Sequence, residues 1–170
     1  MGSIIGLINL HHNIHLGVLS ESRDIGSTEV AGRYSFIDFP LSNFVNSGIE
    51  KIGVLVKDKA RSIFRHLGFT NSWAFNTKTG GISILYNEAM SNNYIYNTDV
   101  NNLKENSWFF RDSGQVSDVV IASAHILMSF DYSKLVHYHK EHDNDITILY
   151  KHNLNGHEEF AACSELIIKE

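Results

Sequence analysis

Short apolar runs, rich in β-branched residues, alternate along this chain with stretches whose apolar positions recur at helical spacing. Ile4 to Leu10 is the first such run and predicts a buried parallel strand. "IDFPLSNFVNSG" (Ile37 to Gly48) reads as a helix: Leu41, Phe44 and Val45 repeat at helical spacing, Asp38 is placed to cap it, Pro40 suits its first turn and Gly48 stops it. "KIGVLVK" (Lys51 to Lys57) is a second buried strand. "KARSIFRHLG" (Lys59 to Gly68) is a second helix, with Ile63, Phe64 and Leu67 expected inward and Gly68 at its end. "GGISILY" (Gly80 to Tyr86) reads as a strand after a glycine pair. The Asn-rich stretch from Asn87 to Asn106 has no clear period and predicts a loop with one short helix. "SDVVIAS" (Ser117 to Ser123) is a strong strand and "DYSKLVHYHKEH" (Asp131 to His142) a polar-faced helix. "DITILYK" (Asp145 to Lys151) and "SELIIKE" (Ser164 to Glu170) are further strand candidates.

Strands alternating with helices of this length predict an α/β fold with a mostly parallel, doubly wound sheet and helices on both faces. Ligands of such sheets bind beyond the carboxyl ends of the strands, where strand order reverses. The loop after the first strand is therefore a candidate site, and it carries "NLHHNIHL", Asn9 to Leu16.

Composition narrows the function classes. At 170 residues the chain is one domain or part of one, and its ending inside the apolar run "ELIIKE" predicts a fragment. A net charge of −5 argues against a nucleic-acid or anionic-membrane binder, since either needs a basic face. No apolar run reaches the length of a membrane span, and the start shows neither a basic signal region nor a myristoylation pattern. The single cysteine, Cys163, excludes an intrachain disulfide and suits a reducing cytosol, so a cytoplasmic location is expected.

His11 and His15 stand four apart and invite a metal reading, as do His139 and His142 on a predicted helix. The first pair follows a strand, in a loop without cysteine, and the second sits among Lys140, Glu141 and Asp143, so no metal site is expected. Cys163 with His157 is too thin a signal for a thiol nucleophile. The aromatic segments "NSWAF" and "NSWFF" suit interface anchoring or packing under a loop.

"GRYSFIDFPLSNFVNSGIEKIGVLVK" (Gly32 to Lys57) resembles the glycine-rich, IDF-LSN-NSGI block of glucose-1-phosphate adenylyltransferases, the ADP-glucose pyrophosphorylases. "IASAHIL…DYSKLVHYH" (Ile121 to His139) is similar to their "LAGDHIY…DYS" segment. The resemblance implies a Rossmann-like nucleotidyltransferase fold, the nucleotide-diphospho-sugar transferase type, with residues 1–170 forming one partial domain cut before the family's C-terminal β-helix. It also implies a family reaction that joins ATP and glucose 1-phosphate into ADP-glucose and pyrophosphate with Mg²⁺.

Carried over residue by residue, the resemblance vacates that chemistry. The family's "AGGRGTRL" loop falls on Asn9 to Leu16. Its glycines become Leu10, His11 and Asn13, and its catalytic arginine becomes His15. Side chains on those backbones obstruct phosphate, and a histidine is mostly neutral at pH 7 where an arginine is charged. The "KP" pair falls on Ile25 and Gly26, and the "PAQQ" base contacts on Tyr86, Asn87, Glu88 and Ala89. The metal aspartate of "GDH" is Ala124, between Ser123 and His125. Alanine offers Mg²⁺ no oxygen. Losing one strong electrostatic contact typically costs about 10²–10³ in rate.

The expected vestigial ligand loop is thus Asn9, His11, Asn13, His15 and Ser123, with no catalytic residue, no metal and no cofactor in this chain. Arg23, matching the arginine near the family's effector site, and Arg33, at a basic position of the "GGK" motif, are the candidates to bind an anionic sugar-phosphate or nucleotide effector. The pattern is similar to the non-catalytic D-type subunit, a regulatory partner that joins a catalytic subunit in a heterotetramer and leaves ATP and Mg²⁺ to it. Two alternatives stand beside it: an active adenylyltransferase with a rebuilt loop, and a ligand sensor without chemistry.

Overall fold

Strand β1 (Ser3–Asn9) is flanked on both sides by parallel neighbours, which is why its sequence is apolar on both faces. The computed structural model describes residues 3–11, 16–68, 80–86, 93, 95–111 and 116–151. After β1 come helix α1 (Val18–Glu21), a 3₁₀ turn (Ile25–Ser27) and a hairpin of β2 (Glu29–Val30) and β3 (Tyr34–Ser35). Helix α2 (Asp38–Asn46), strand β4 (Lys51–Val56), helix α3 (Ala60–Gly68) and strand β5 (Gly81–Tyr86) follow. Helices α4 (Asp99–Glu105) and α5 (Trp108–Arg111), strand β6 (Val116–Ser123) and helix α6 (Tyr132–Glu141) complete the series.

The four long strands form one parallel sheet in the order β5-β4-β1-β6, so the α/β reading holds and every pairing among the described residues of this sheet is parallel. The chain steps outward from β1 through β4 to β5, then crosses back to lay β6 on the other side of β1. That reversal puts a crevice at the carboxyl ends of β1 and β6.

Helices cover both faces. Ile8, Ile52, Val54 and Val120 pack beneath Leu41 and Phe44 of α2 and Tyr132 of α6. Ile5, Leu7, Leu55 and Leu85 pack against Phe109 of α5. Two glycines let aromatic rings lie on the sheet. A Cβ at Gly6 would sit 3.0 Å from the Phe44 ring, and one at Gly53 would meet Leu7, Leu85 and Phe109 at 2.8–2.9 Å. Both rings are fully buried, which is worth about 1.5–3 kcal/mol for each side chain.

Helix α2 ends as expected. Gly48 takes φ 74°, its N–H reaches the Val45 carbonyl, and the Ile49 N–H reaches the Phe44 carbonyl. Its start departs from expectation. Asp38 lies inside the helix, whose cap is Ile37 without a side-chain bond. The Asp38 carboxylate instead accepts the Ser35 N–H at 2.8 Å.

Other expectations are corrected by burial and pairing. Ile63 and Leu67 of α3 are buried, but Phe64 is half exposed, because the helix turns only one narrow stripe toward the sheet. Asp145 to Lys151 alternates like a strand yet pairs with no described residue, and Ile146, Ile148, Leu149 and Tyr150 are exposed. Alternation supplies a face, whereas a strand also needs a neighbouring ladder. The short helix α5 inside "NSWFF" was not expected. It turns Phe109 into the core and leaves Trp108 partly exposed. "NSWAF" and Ser164 to Glu170 lie outside the described residues. No helix among the described residues is long and apolar enough to cross a membrane.

Candidate functional site

The sheet register brings two predicted site residues side by side: Asn9, the last residue of β1, pairs with Ser123, the last of β6. Beyond them lie Leu10 and His11 on one side and the turn at Ala124–His125 on the other. These residues form the floor of the switch-point crevice, as the topology requires. His12, Asn13, Ile14 and His15 lie outside the described residues, as do Asn87, Glu88 and Ala89.

The polar groups of this floor are engaged with one another. Asn9 Oδ1 accepts the His11 N–H at 2.9 Å, and its amide nitrogen donates to Asp99 Oδ2 at 3.3 Å. Asp99 opens helix α4, and its other oxygen accepts the Val100 N–H. Asn102, fully buried on the same helix, donates from Nδ2 to the carbonyls of Val56 and Leu85, which fixes the orientation of its amide. The same nitrogen lies 3.1 Å from His11 Nε2. Across the crevice the Ser123 hydroxyl hydrogen-bonds His125 Nδ1.

Ala124 is buried at 1% exposure, packed with Val120 and Ala122 on the face that α2 and α6 cover. It presents a methyl group where the family pattern has a carboxylate. The carboxylate that the described residues do bring to the crevice, Asp99, is already held by Asn9 and the Val100 N–H. Mg²⁺ demands several oxygen ligands in near-octahedral geometry, and these residues do not fit it. Among the described residues no group of three or more His, Cys, Asp or Glu side chains is arranged to hold a metal ion.

The two effector candidates lie on other segments of the chain. Arg23 is exposed on the bend before the 3₁₀ turn. Arg33 is exposed at the hairpin tip, its guanidinium 6.0 Å from the centre of the Tyr34 ring. Among the described residues neither forms an ion pair. His142 is exposed and stacks on Tyr138. His139 is less solvated than expected: it is half-buried, bonds Thr147 through Nδ1 and lies over Asp118. His157 and Cys163 lie outside the described residues.

Three features escaped the reading of the sequence. Asp99 and Asn102 reach the crevice from an irregular region without a legible period. Asp24 is 6% exposed, and burial raises its carboxyl to about 6, against the hydrogen bond its Oδ1 accepts from Gly26 N–H at 2.7 Å. Nearby Asp58 raises it further and Lys59 opposes the rise. His66 pairs with Asp38 at 2.7 Å across 28 positions of sequence, and nothing local signals that contact.

Comparison with known proteins agrees with the fold. The sequence profile described as nucleotidyl transferase matches residues 19–159. The chain is 36% identical over 135 residues to the glucose-1-phosphate adenylyltransferase of Clostridium botulinum, covering 78% of this chain and 34% of that protein. It is 38% identical over 128 residues to the enzyme of that name from Thermosipho africanus, covering 74% and 30%. With the one from Fervidobacterium nodosum it shares 35% identity over 141 residues, covering 82% and 34%. The chain thus spans about a third of the length of the curated relatives it matches. A profile match that starts in α1 and runs through β4, β5, β6 and α6 settles its affiliation: the chain belongs to the nucleotidyl transferase family.

Proposed function

We infer that this chain is part of a regulatory, non-catalytic subunit of glucose-1-phosphate adenylyltransferase, one that acts by assembling with a catalytic subunit. The observation that carries the reading is Ala124: a buried methyl group directly follows β6, in a chain otherwise similar in sequence to the relatives. Among the described residues, the side chains of Asn9, Asp99, Ser123 and His125 are engaged in hydrogen bonds within the floor, which supports the reading. ATP and Mg²⁺ are then used by the catalytic partner, and an anionic sugar phosphate or nucleotide binds as effector at Arg23 or Arg33. Association with the partner shifts its kinetics through a coupling of about 1–3 kcal/mol between sites.

Pyrophosphate release from ATP and glucose 1-phosphate with Mg²⁺ tests this on the full-length protein, alone and mixed with the catalytic subunit. The expected result is no turnover alone, a stable complex on mixing, and an altered effector response in the complex. Turnover by the folded protein alone would instead establish an active enzyme with a rebuilt loop. No complex and no kinetic change would overturn the regulatory reading.

A further inference from the structure

We propose that His66 is the latch of a proton-operated clasp that fastens the β2–β3 hairpin, and the Arg33 it carries, to helices α2 and α3. Three elements meet at this one imidazole. His66 stands on α3, its Nε2 is 2.7 Å from Asp38 Oδ1 on α2, and its Nδ1 is 3.4 Å from Ser35 Oγ on β3. The His66 and Asp38 side chains are 24% and 13% exposed, and Ser35 is 2% exposed. The second oxygen of Asp38 accepts the Ser35 backbone N–H, so both carboxylate oxygens are directed at the latch and its hairpin.

The donor count changes with the proton. A neutral ring donates from Nε2 to the carboxylate and leaves Nδ1 to accept the Ser35 hydroxyl. The protonated ring donates from both nitrogens. Ser35 Oγ then accepts from Nδ1, and its own hydrogen is free to turn to the Ser27 carbonyl, 3.5 Å away in the 3₁₀ turn. Protonation therefore makes the contacts charge-assisted and extends the chain of bonds from α2 through α3 and β3 into that turn.

The charged groups facing the ring act in one direction. Asp38 lies on α2. Glu29 lies on β2, opposite Ser35 in the hairpin register, and both are acidic. On its own helix the adjacent Arg65 is exposed. The hydrogen bond to Asp38 outweighs burial and holds the His66 imidazole above its ordinary 6.5. A histidine raised in the native state contributes stability that is fully present below 6.5 and is lost as pH rises through the raised value. The clasp is thus closed in mild acid and loosened in base. The hairpin ladder holds two residue pairs, with the Phe36 N–H on the Thr28 carbonyl at 3.1 Å and the Ile37 N–H on the Gly26 carbonyl at 2.9 Å at its base, and its exposed tip has positive φ at Ala31 and Gly32, so the clasp adds to a short ladder.

The test is an NMR titration of the His66 ring in the whole chain, paired with hydrogen exchange of the Val30, Tyr34 and Ser35 amides from pH 6 to 8, corrected for intrinsic rates. The expected result is a His66 midpoint above 6.5 and a several-fold loss of hairpin protection with the same midpoint. In Asp38→Asn the midpoint should fall to 6.5 or below. In Ser35→Ala, which keeps the ion pair, the midpoint should stay raised while hairpin protection no longer follows it. A wild-type midpoint at or below 6.5 would overturn the proposal. So would a hairpin protection profile left unchanged by His66→Gln.

Discussion

A buried carboxyl group that titrates near 6 is a liability at neutral pH, and Asp24 provides a direct measure of it. The side chain is 6% exposed, and the hydrogen bond its carboxyl accepts from the Gly26 N–H does not offset the loss of water. The nearest ammonium, Lys59, sends its Nζ to the Ser20 carbonyl at 2.6 Å, while Asp58 adds repulsion. The carboxyl is raised from 3.8 to about 6. That shift of roughly two units, at about 1.4 kcal/mol each, means the ionised form costs the native state about 3 kcal/mol. For an acid raised on folding the sign is fixed: stability is highest below 3.8 and is lost as pH climbs through about 6. Asp24→Asn removes the charge and keeps an acceptor for the Gly26 N–H. Its amide brings two hydrogens into a buried place, which costs about 1–3 kcal/mol if they go unpaired. The expected outcome is a crossing: the variant gains up to about 2 kcal/mol over the wild type above pH 7 and falls below it near pH 4. Urea unfolding of both proteins across that range, with the slope checked for constancy, reads the difference. Parallel stability curves, or a variant that is less stable at pH 8, would refute the argument that burial dominates at Asp24.

The core and the crevice offer two further tests by the same unfolding assay. The Tyr132 hydroxyl is buried between Phe44 and Phe130 without a hydrogen-bond partner among the described residues, so Tyr132→Phe should stabilise by about 1 kcal/mol, and a loss of that size would reveal a bond the geometry lacks. Asn102→Ala orphans the Val56 and Leu85 carbonyls and the Asn106 amide that bonds Asn102 Oδ1 at 2.7 Å, so a destabilisation of about 2–4 kcal/mol is expected, and a change below about 1 would mean that water replaces the side chain.

The parts of the molecule that could be read from the sequence share a physical origin. Parallel strands buried on both faces are written as unbroken apolar runs, so β1 and β4 stood out; β5 and β6 carry shorter apolar runs, with Val119 and Ile121 of β6 exposed, and the spacing of all four around helices implied the sheet. Asn9 and Ser123 followed from topology, because strand ends at a switch point meet whatever their side chains. What stayed hidden depends on contacts between distant positions. Phe64 has the polarity of a core residue and lies off the buried stripe by its angle on α3. Ile146 to Tyr150 has the alternation of a strand and no described neighbour to pair with. A cap role for Asp38 is a local inference, whereas its partner His66 arrives from another helix.

The segment that carries the family resemblance also explains why a scaffold can persist around a changed crevice. In "IDFPLSNFVNSG", Leu41 and Phe44 fill the core beneath β1 and β4, and Asp38 ties α2 to α3. Asn43 is the most telling position. Its amide donates to the Met128 carbonyl at 2.9 Å and its oxygen accepts the Phe130 N–H, while Ser47 accepts the Tyr132 N–H. These bonds hold the segment after β6 against α2 and so set where Ala124 and His125 stand. None of them needs a carboxylate at Ala124 or glycines after β1. Fold and chemistry therefore make separate demands on this sequence: one is met by the interior of α2 and its partners, the other by a few side chains at strand ends. Substitution at the strand ends can remove the second without loosening the first.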